Sequence, residues 1–343
     1  MFFRVLKKDQ IPTFIEGLAV DYEVIAPIAK GLAYVFAPVT CGARVVLDYP
    51  TTIVPPTAYF LKPKEALLRY NSADGEVVET VKDDRKRILF GVHPCDLNAI
   101  LMTDKVFLGD YEDPYYKARR ESTLIVGVSC TPRQSCVCHM FGANEVLQGY
   151  DLYLTDIGDA YFVQCSSVEG AQLLDTLVET REATAEDTRA LQKHVARFRQ
   201  TLGEAPDTTQ IPLLFDARYD EELWEEIGSR CLSCGACSAV CPTCYCFDIV
   251  DELDANGVTG SRVRCWDSCL NSQFAEVAGG HDFRPTRASR VRHRFYHKFW
   301  AYPARYGKTM CVGCGRCYTA CKVGINPSRV VAALQGDVGE GEA

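Results

Sequence analysis

Long apolar runs are missing from this chain of 343 residues. No stretch approaches the roughly 20 consecutive apolar residues that a membrane-spanning helix needs, and no charged and then apolar secretion signal opens the sequence. Positive charge is scarce too, because 37 Lys and Arg residues face 45 Asp and Glu residues. We therefore expect a cytoplasmic protein without membrane contact, and the acidic balance disfavours general binding of nucleic acid.

Sequence motifs of the common nucleotide and acyl-transfer sites are also absent. The chain contains no G-x-G-x-x-G that opens a helix after a strand, no G-x4-G-K-[ST] loop and no nucleophile elbow. It therefore has no recognisable site of its own for a flavin or a nicotinamide cofactor.

Cysteine is the residue in excess, with 18 in the chain. In a sequence that lacks the marks of secretion, we expect reduced thiols that bind metal rather than a disulfide framework. Two copies of the spacing C-x2-C-x2-C-x3-C are present: Cys231, Cys234, Cys237 and Cys241, and then Cys311, Cys314, Cys317 and Cys321. This spacing is typical of a pair of [4Fe–4S] clusters, in which the fourth cysteine of each motif ligates the other cluster.

Exchange of the fourth cysteine between the motifs defines two predicted ligand sets. They are Cys231, Cys234, Cys237 and Cys321 for one cluster, and Cys311, Cys314, Cys317 and Cys241 for its neighbour. A pair of zinc sites is the alternative, since C-x2-C pairs also bind tetrahedral zinc. Three evenly spaced cysteines followed by a fourth fit the ligation of a cuboidal cluster, so we predict two adjacent iron–sulfur clusters.

The order of apolar and helical segments predicts an α+β chain. Uninterrupted apolar runs are typical of strands covered on both faces, as in a parallel sheet. The strand-like runs of the N-terminal half are Arg44–Tyr49, Arg87–Val92, Thr123–Val128 and Tyr161–Cys165. We predict an N-terminal α/β domain over residues 1–210, a C-terminal domain with the paired motifs over residues 216–335, and a flexible tail over residues 336–343.

Two of the apolar runs lead into loops that carry cysteine. Cys95 follows the first of them, and Cys130, Cys136 and Cys138 follow the second. Because ligands gather beyond the carboxyl ends of parallel strands, four thiols on adjacent loops can bind a third cluster. Their irregular spacing, taken alone, leaves buried and redox-inert thiols as an equal alternative.

Several residues near these motifs allow more than one interpretation. Asp96 is predicted to cap the helix after Cys95, and His93 and His139 are candidates to hydrogen-bond sulfur. The basic stretch Arg284–Trp300 fits a docking surface or charge compensation beside anionic clusters, with nucleic-acid binding the weaker alternative. The cysteines left over are Cys41 and Cys165, predicted to be structural, and Cys244, Cys246, Cys265 and Cys269, predicted to fill space or to bind a further metal.

Six segments occur in one order along the chain: GVHPCD, GVSCTPRQSCVC, CLSCGACSAVCPTCYC, RCWDSC, AGGHDFRP and CVGCGRC. This set resembles the iron–sulfur β subunit of cytoplasmic sulfhydrogenases. It is similar also to the A subunit of anaerobic sulfite reductase and to iron–sulfur subunits of flavin oxidoreductases linked to heterodisulfide reductase. The long insert between the paired motifs resembles that of helical ferredoxin domains, which implies a helical ferredoxin-like fold for residues 216–335.

The resemblance also implies a function. In that family the subunit relays single electrons between a flavin subunit that binds FAD and NAD(P)(H) and a catalytic partner such as a hydrogenase small subunit. It implies that Cys95, Cys130, Cys136 and Cys138 hold a third [4Fe–4S] cluster, whereas Cys265 departs from the family pattern.

The expected protein is thus an electron-transfer subunit of an oxidoreductase complex, with no catalytic residue of its own. Two alternatives stay open. One is a stand-alone reductase of a small sulfur compound at an open-coordinated cluster. The other is a nucleic-acid-binding protein that clusters stabilise.

Overall fold

Helices and strands are mixed along the described chain, which comprises residues 2–80, 82–133 and 135–336 of a computed structural model. The strands are β1 Phe2–Lys7, β2 Glu23–Lys30, β3 Ala33–Pro38, β4 Lys64–Asn71, β5 Glu76–Glu79, β6 Arg87–Val92, β7 Thr123–Val128, β8 Leu152–Asp156, β9 Ala160–Cys165, β10 Arg181–Glu182, β11 Phe247–Leu253, β12 Thr259–Trp266, β13 Glu276–Val277 and β14 His281–Asp282. The helices are α1 Ile11–Asp21, α2 Pro94–Phe107, α3 Pro114–Glu121, α4 Val168–Leu177, α5 Ala185–Leu202, α6 Ile211–Ala217, α7 Leu223–Arg230, α8 Ala236–Ala239, α9 Arg287–Tyr296, α10 Tyr302–Tyr306, α11 Arg316–Ala320 and α12 Pro327–Gln335. The content agrees with the predicted α+β class, and most of the predicted tail, from residue 337 onward, lies outside the described residues.

A mixed sheet of eight strands organises the N-terminal half. Its order is β10-β1-β9-β8-β7-β6-β2-β3, and β2, β6, β7 and β8 run parallel to one another. Strand β6 is buried along its whole length because apolar cores lie on both faces. Helices α1 and α4 pack on one face, while α2 and α3 pack on the other.

The predicted strand runs can be compared directly with this sheet. Arg87–Val92 and Thr123–Val128 coincide with β6 and β7, and Tyr161–Cys165 falls within β9. The predicted strand Arg44–Tyr49 is wrong, because this segment makes only an isolated bridge through Val45 to β2. Both edges of β2 are already paired, with β3 and β6, so no edge remains for another strand.

A second sheet corrects the expectation that the C-terminal part is helical. The insert between the paired cysteine motifs contains the hairpin β11–β12, which adds to β4 and β5 in the order β11-β12-β4-β5. The insert also forms the short hairpin β13–β14. Strand β12 of the insert pairs with β4, which lies about 190 residues earlier in the chain. The second sheet therefore contains strands from both sides of the domain boundary predicted near residue 210.

Buried ion pairs hold this second sheet to the body of the protein. Glu65 on β4 accepts hydrogen bonds from Arg119 of α3 and from Arg264 of β12, the latter at 2.6 Å. Arg264 also pairs with Asp113, the residue before α3. These cationic side chains are almost fully buried, so each depends on its carboxylate partner.

The C-terminal helices surround their own aromatic core. Trp224 of α7 and Phe215 of α6 pack against Tyr296 and Phe299, which lie on the continuous helix of α9, a π-helical turn and α10. Among the described helices, none is both long enough and apolar enough to cross a bilayer.

We predict that Glu65→Ala destabilises the protein by about 3–5 kcal/mol, because it leaves Arg119 and Arg264 buried without their shared carboxylate. The matched control is Glu252→Ala, which removes an exposed pair with Lys64 on the same sheet and is expected to change stability by less than about 1 kcal/mol. Anaerobic thermal unfolding of the metal-loaded protein measures both. Equal melting temperatures for the two variants would contradict this account.

Candidate metal centre

The two paired motifs are built alike. In the first, Cys231 follows α7, and Gly235, with a φ of 70°, turns the chain into α8. In the second, Gly315, with a φ of 76°, turns the chain into α11, which carries Cys317. Left-handed glycine turns each chain so that the third cysteine, in the first turn of the helix, can face the same point as the two cysteines of the loop.

The folded chain brings the cysteines together in the crossed sets. One cavity is lined by the four thiols of the first predicted set and by Cys317. A second cavity is lined by the other predicted set and by no further cysteine among the described residues. The cysteines lining the first cavity are Cys231, Cys234, Cys237, Cys321 and Cys317. Those lining the second are Cys241, Cys311, Cys314 and Cys317.

Buried cations stand beside both cavities. Arg294 donates to the sulfur of Cys244 at 3.4 Å and to the carbonyl oxygen of Cys237 at 3.4 Å. The Lys298 ammonium donates to Thr243 Oγ1 at 2.9 Å. Both cations are 6% exposed, and within residues 2–80, 82–133 and 135–336 neither forms an ion pair with a carboxylate. An unpaired buried cation is unfavourable, so these two side chains indicate that negative charge resides on the sulfurs.

The thiols of the second cavity are buried deeply enough to be neutral when no metal is bound. Burial raises the pKa of Cys311 to about 12 and raises the pKa of Cys317 as well, so that free thiols would be protonated at neutral pH. A bound metal ion deprotonates coordinating thiols outright. Anionic cluster and buried cation then compensate one another, and the residues present fit an iron–sulfur group at each cavity.

The four N-terminal cysteines also converge. Electrostatic interactions link Cys130 to Cys136 and Cys138, and link Cys95 to Cys130. The parallel neighbours β6 and β7 carry the two loops to the same edge of the sheet, as the sequence predicted. Cys95 and Cys138 both interact with Cys314 of the second cavity, so this thiol group adjoins the paired site.

A buried ion pair joins the two halves at this point. Both terminal nitrogens of the Arg316 guanidinium donate to Asp96, at 2.6 and 2.7 Å, and both side chains are shielded from solvent. Asp96 lies in the first turn of α2, whose N-cap is His93, so the prediction that Asp96 caps this helix is wrong. Its carboxylate is instead used by an arginine 220 residues away.

The two histidines near the N-terminal cysteines are neutral and partly unpaired. Burial, and then the charge of Arg316, lower the pKa of His93 to about 3, and its ring stacks on Tyr49 at 3.9 Å. Burial lowers the pKa of His139 too. Among the described residues, His93 Nε2 and His139 Nδ1 have no hydrogen-bond partner. Hydrogen bonding of these atoms to sulfur stays a prediction.

The remaining cysteines separate into two groups. Cys244, Cys246 and Cys269 lie together beside the paired site, whereas Cys265 lies in β12 opposite Asp248 and Lys64. Cys165 is buried in β9, and Cys41 is exposed. In the described part of the chain, no three His, Cys, Asp or Glu side chains converge tightly enough to hold a single ion.

The basic stretch Arg284–Trp300 is turned largely inward. Arg290, Arg294 and Lys298 are buried on one face of α9 and its continuation. Arg290 donates to the carbonyls of Arg284 and Pro285, and Arg287 donates to the carbonyl of Cys231. These bonds to carbonyl oxygens fix the stretch in place, and its role in charge compensation stays a prediction.

Comparison with known proteins now defines the class. Residues 230–325 match the family of 4Fe-4S dicluster domains, so the chain carries a domain of this iron–sulfur type. No solved structure matches the chain. The chain is 34% identical over 327 residues to "Sulfhydrogenase 2 subunit beta" of Pyrococcus furiosus, which covers 95% of this chain and 96% of that protein. The chain therefore belongs to the family of sulfhydrogenase β subunits, as its motifs predicted.

Several features of the site were not predicted from the sequence. The Asp96–Arg316 pair and the inward direction of Arg294 and Lys298 depend on contacts between distant segments. A signal was present for the ion pair, since Asp96 directly follows Cys95, and Arg316 lies within CVGCGRC.

We predict that Lys298→Met lowers the midpoint potential of the neighbouring cluster by about 50–100 mV, since a buried positive charge near Cys241 and Cys311 stabilises the reduced, more negative cube. EPR-monitored redox titration measures the shift. Lys117→Met, which removes an exposed cation paired with Glu112, is the control and is expected to leave the potential unchanged. An unshifted potential in Lys298→Met protein with a full iron content would contradict charge compensation of the cluster by Lys298.

Proposed function

We propose that this chain is the electron-transfer subunit of a multi-subunit oxidoreductase, and that it relays single electrons through three [4Fe–4S] clusters. The single observation that carries the proposal is the proximity of three cysteine groups. The first and second cavities share Cys317, and Cys314 of the second cavity interacts electrostatically with Cys138 of the N-terminal group. One-electron transfer needs closely spaced centres, which supports a relay through this series.

Backbone contacts join the loop of the second cavity to the loop of the N-terminal cysteines. The amide of Val137 donates to the carbonyl of Gly313 at 2.8 Å. A side chain at Gly313 would meet the backbone of Val137 at 2.4 Å, so only glycine permits this approach. The cysteine loops of the two halves thus lie directly against each other.

The two ends of the series both reach the surface. Cys234 is exposed, which supports access of a redox partner to the first cluster. At the other end, Cys130 lines a cavity of about 540 Å³ beside Lys193, His194 and Arg197. A relay requires two such points of access, one for the donor and one for the acceptor.

The partners follow from the family. The relative is by name a sulfhydrogenase subunit, so we propose a cytoplasmic complex in which a flavin subunit binds FAD and NAD(P)(H). A hydrogenase small subunit, or a sulfite reductase or heterodisulfide reductase module, stands at the other end. Electron-transfer steps in this chain need only the cubes, whose potentials depend on the hydrogen bonds, charge and burial described above.

We predict about twelve irons and about twelve acid-labile sulfides per chain in anaerobically purified protein, since each cube holds four of each. EPR of the dithionite-reduced protein is expected to show interacting cubes. About eight irons would confine the clusters to the C-terminal half and leave Cys95, Cys130, Cys136 and Cys138 as thiols. Zinc without sulfide would contradict the relay altogether.

We predict that Cys314→Ser removes the signal of one paired cluster and reduces NAD(P)(H) turnover coupled to the partner more than about tenfold, because the middle centre of the series is lost. Reaction at the partner's own site, driven by an artificial electron donor, is expected to persist. Cys41→Ser, at an exposed cysteine outside all three groups, serves as the control. Unchanged coupled turnover in the Cys314→Ser complex would refute the relay.

A further inference from the structure

The cavity of about 540 Å³ beside the N-terminal cysteines has the position and size of a small-molecule site. It is lined by the loops that follow the parallel strands β7 and β8, with Cys130 among the lining residues, and by helix α5. Ligands of parallel sheets gather beyond the carboxyl ends of the strands, and cavities of this volume hold molecules of the size of a nucleotide. We therefore asked which chemical groups line it.

Hydrogen bonds hold the two strand loops together. The Asp156 amide donates to Ser129 Oγ at 3.0 Å, and the Ser129 amide donates to the Leu154 carbonyl at 2.8 Å. The Asp156 carboxylate forms an ion pair with Lys8 at 2.7 Å. Because these contacts lie within the protein itself, the wall of the cavity next to Cys130 is formed before any ligand binds.

Helix α5 presents two cations to the cavity. Lys193 and Arg197 are exposed, lie one helical turn apart, and both line the cavity. In the described part of the chain neither side chain forms a hydrogen bond or an ion pair, whereas Arg199 on the same helix pairs with Glu145 at 2.7 Å. Neighbouring Lys and Arg side chains without a carboxylate partner fit a phosphate group, whose oxygens accept several charge-assisted hydrogen bonds.

The rest of the lining suits a planar ring. Tyr161 is buried and Phe198 is half-buried, and both line the cavity together with the aliphatic side chains of Leu47 and Val128. The exposed carboxylate of Asp48 also lines it, and within the described residues it pairs with no cation. Aromatic side chains pack against flat rings, and a carboxylate accepts a hydrogen bond from a ring N–H or amino group.

We propose that this cavity binds a ligand of mononucleotide size that carries a phosphate and a planar, nitrogen-containing ring. The phosphate lies between Lys193 and Arg197, and the ring lies against Tyr161 and Phe198. The cations come from the side of a helix and not from a glycine-rich loop, which is why no nucleotide motif is present in the sequence. This inference goes beyond the relay, since binding needs no cluster, and a redox-active ligand of this class would lie beside Cys130.

The first test uses anaerobically purified holoprotein. Acid release followed by mass spectrometry identifies any ligand that co-purifies, and calorimetric titration after dialysis at high salt measures binding of FMN, AMP and inorganic phosphate. We expect FMN or AMP to bind once per chain and at least about tenfold more tightly than phosphate, because the ring adds apolar contact. Tighter binding of FMN identifies a redox cofactor, and tighter binding of AMP identifies a plain nucleotide.

Two results of these titrations would overturn the site. One is that neither FMN nor AMP binds at about 1 mM. The other is that inorganic phosphate binds as tightly as both, which leaves no contribution from the ring. Neither result depends on iron content, so failure of this site leaves the relay standing, and loss of the relay leaves this site standing.

Variants test the assigned contacts separately. Lys193→Gln and Arg197→Gln are each expected to weaken binding of the tighter nucleotide by about tenfold or more, because each removes a charge-assisted hydrogen bond to phosphate. Phe198→Ala is expected to weaken nucleotide binding and to leave phosphate binding unchanged. Arg199→Gln, whose cation is paired with Glu145, is the matched control and is expected to bind like wild type. Wild-type affinity in Arg197→Gln protein would overturn the proposal.

Discussion

Negative charge on buried sulfur is the constraint on which this structure depends. Thiolates inside a protein are unfavourable unless cations lie close to them, and here the cations come from a single long helix. Arg294 and Lys298 lie one helical turn apart on the continuation of α9 and face the paired cavities. The π-helical turn that begins at His297 shifts the register of this helix where it passes the sulfurs.

A third buried cation, Arg316, lies close to thiols from both halves of the molecule. It lies between the paired site and the N-terminal cysteines, and Asp96 neutralises it. Around it, Met102 of α2 packs with Tyr302 and Met310 in a small apolar core. The N-terminal sheet and the C-terminal helices are therefore held together at the point where electrons would pass between them, which keeps the spacing of the centres fixed.

Local patterns in the sequence determined the cluster type, strands β6 and β7, and the family, and they also predict the crossed ligand sets. Each of these depends on spacing within a few residues, or on apolar runs that only a doubly covered strand can bury. Tertiary structure alone decided that Arg44–Tyr49 makes no strand, that the insert forms a hairpin on β4, and that Asp96 pairs with Arg316. These features depend on which edge, charge or thiol a distant segment offers, and such information exists only once the chain has folded.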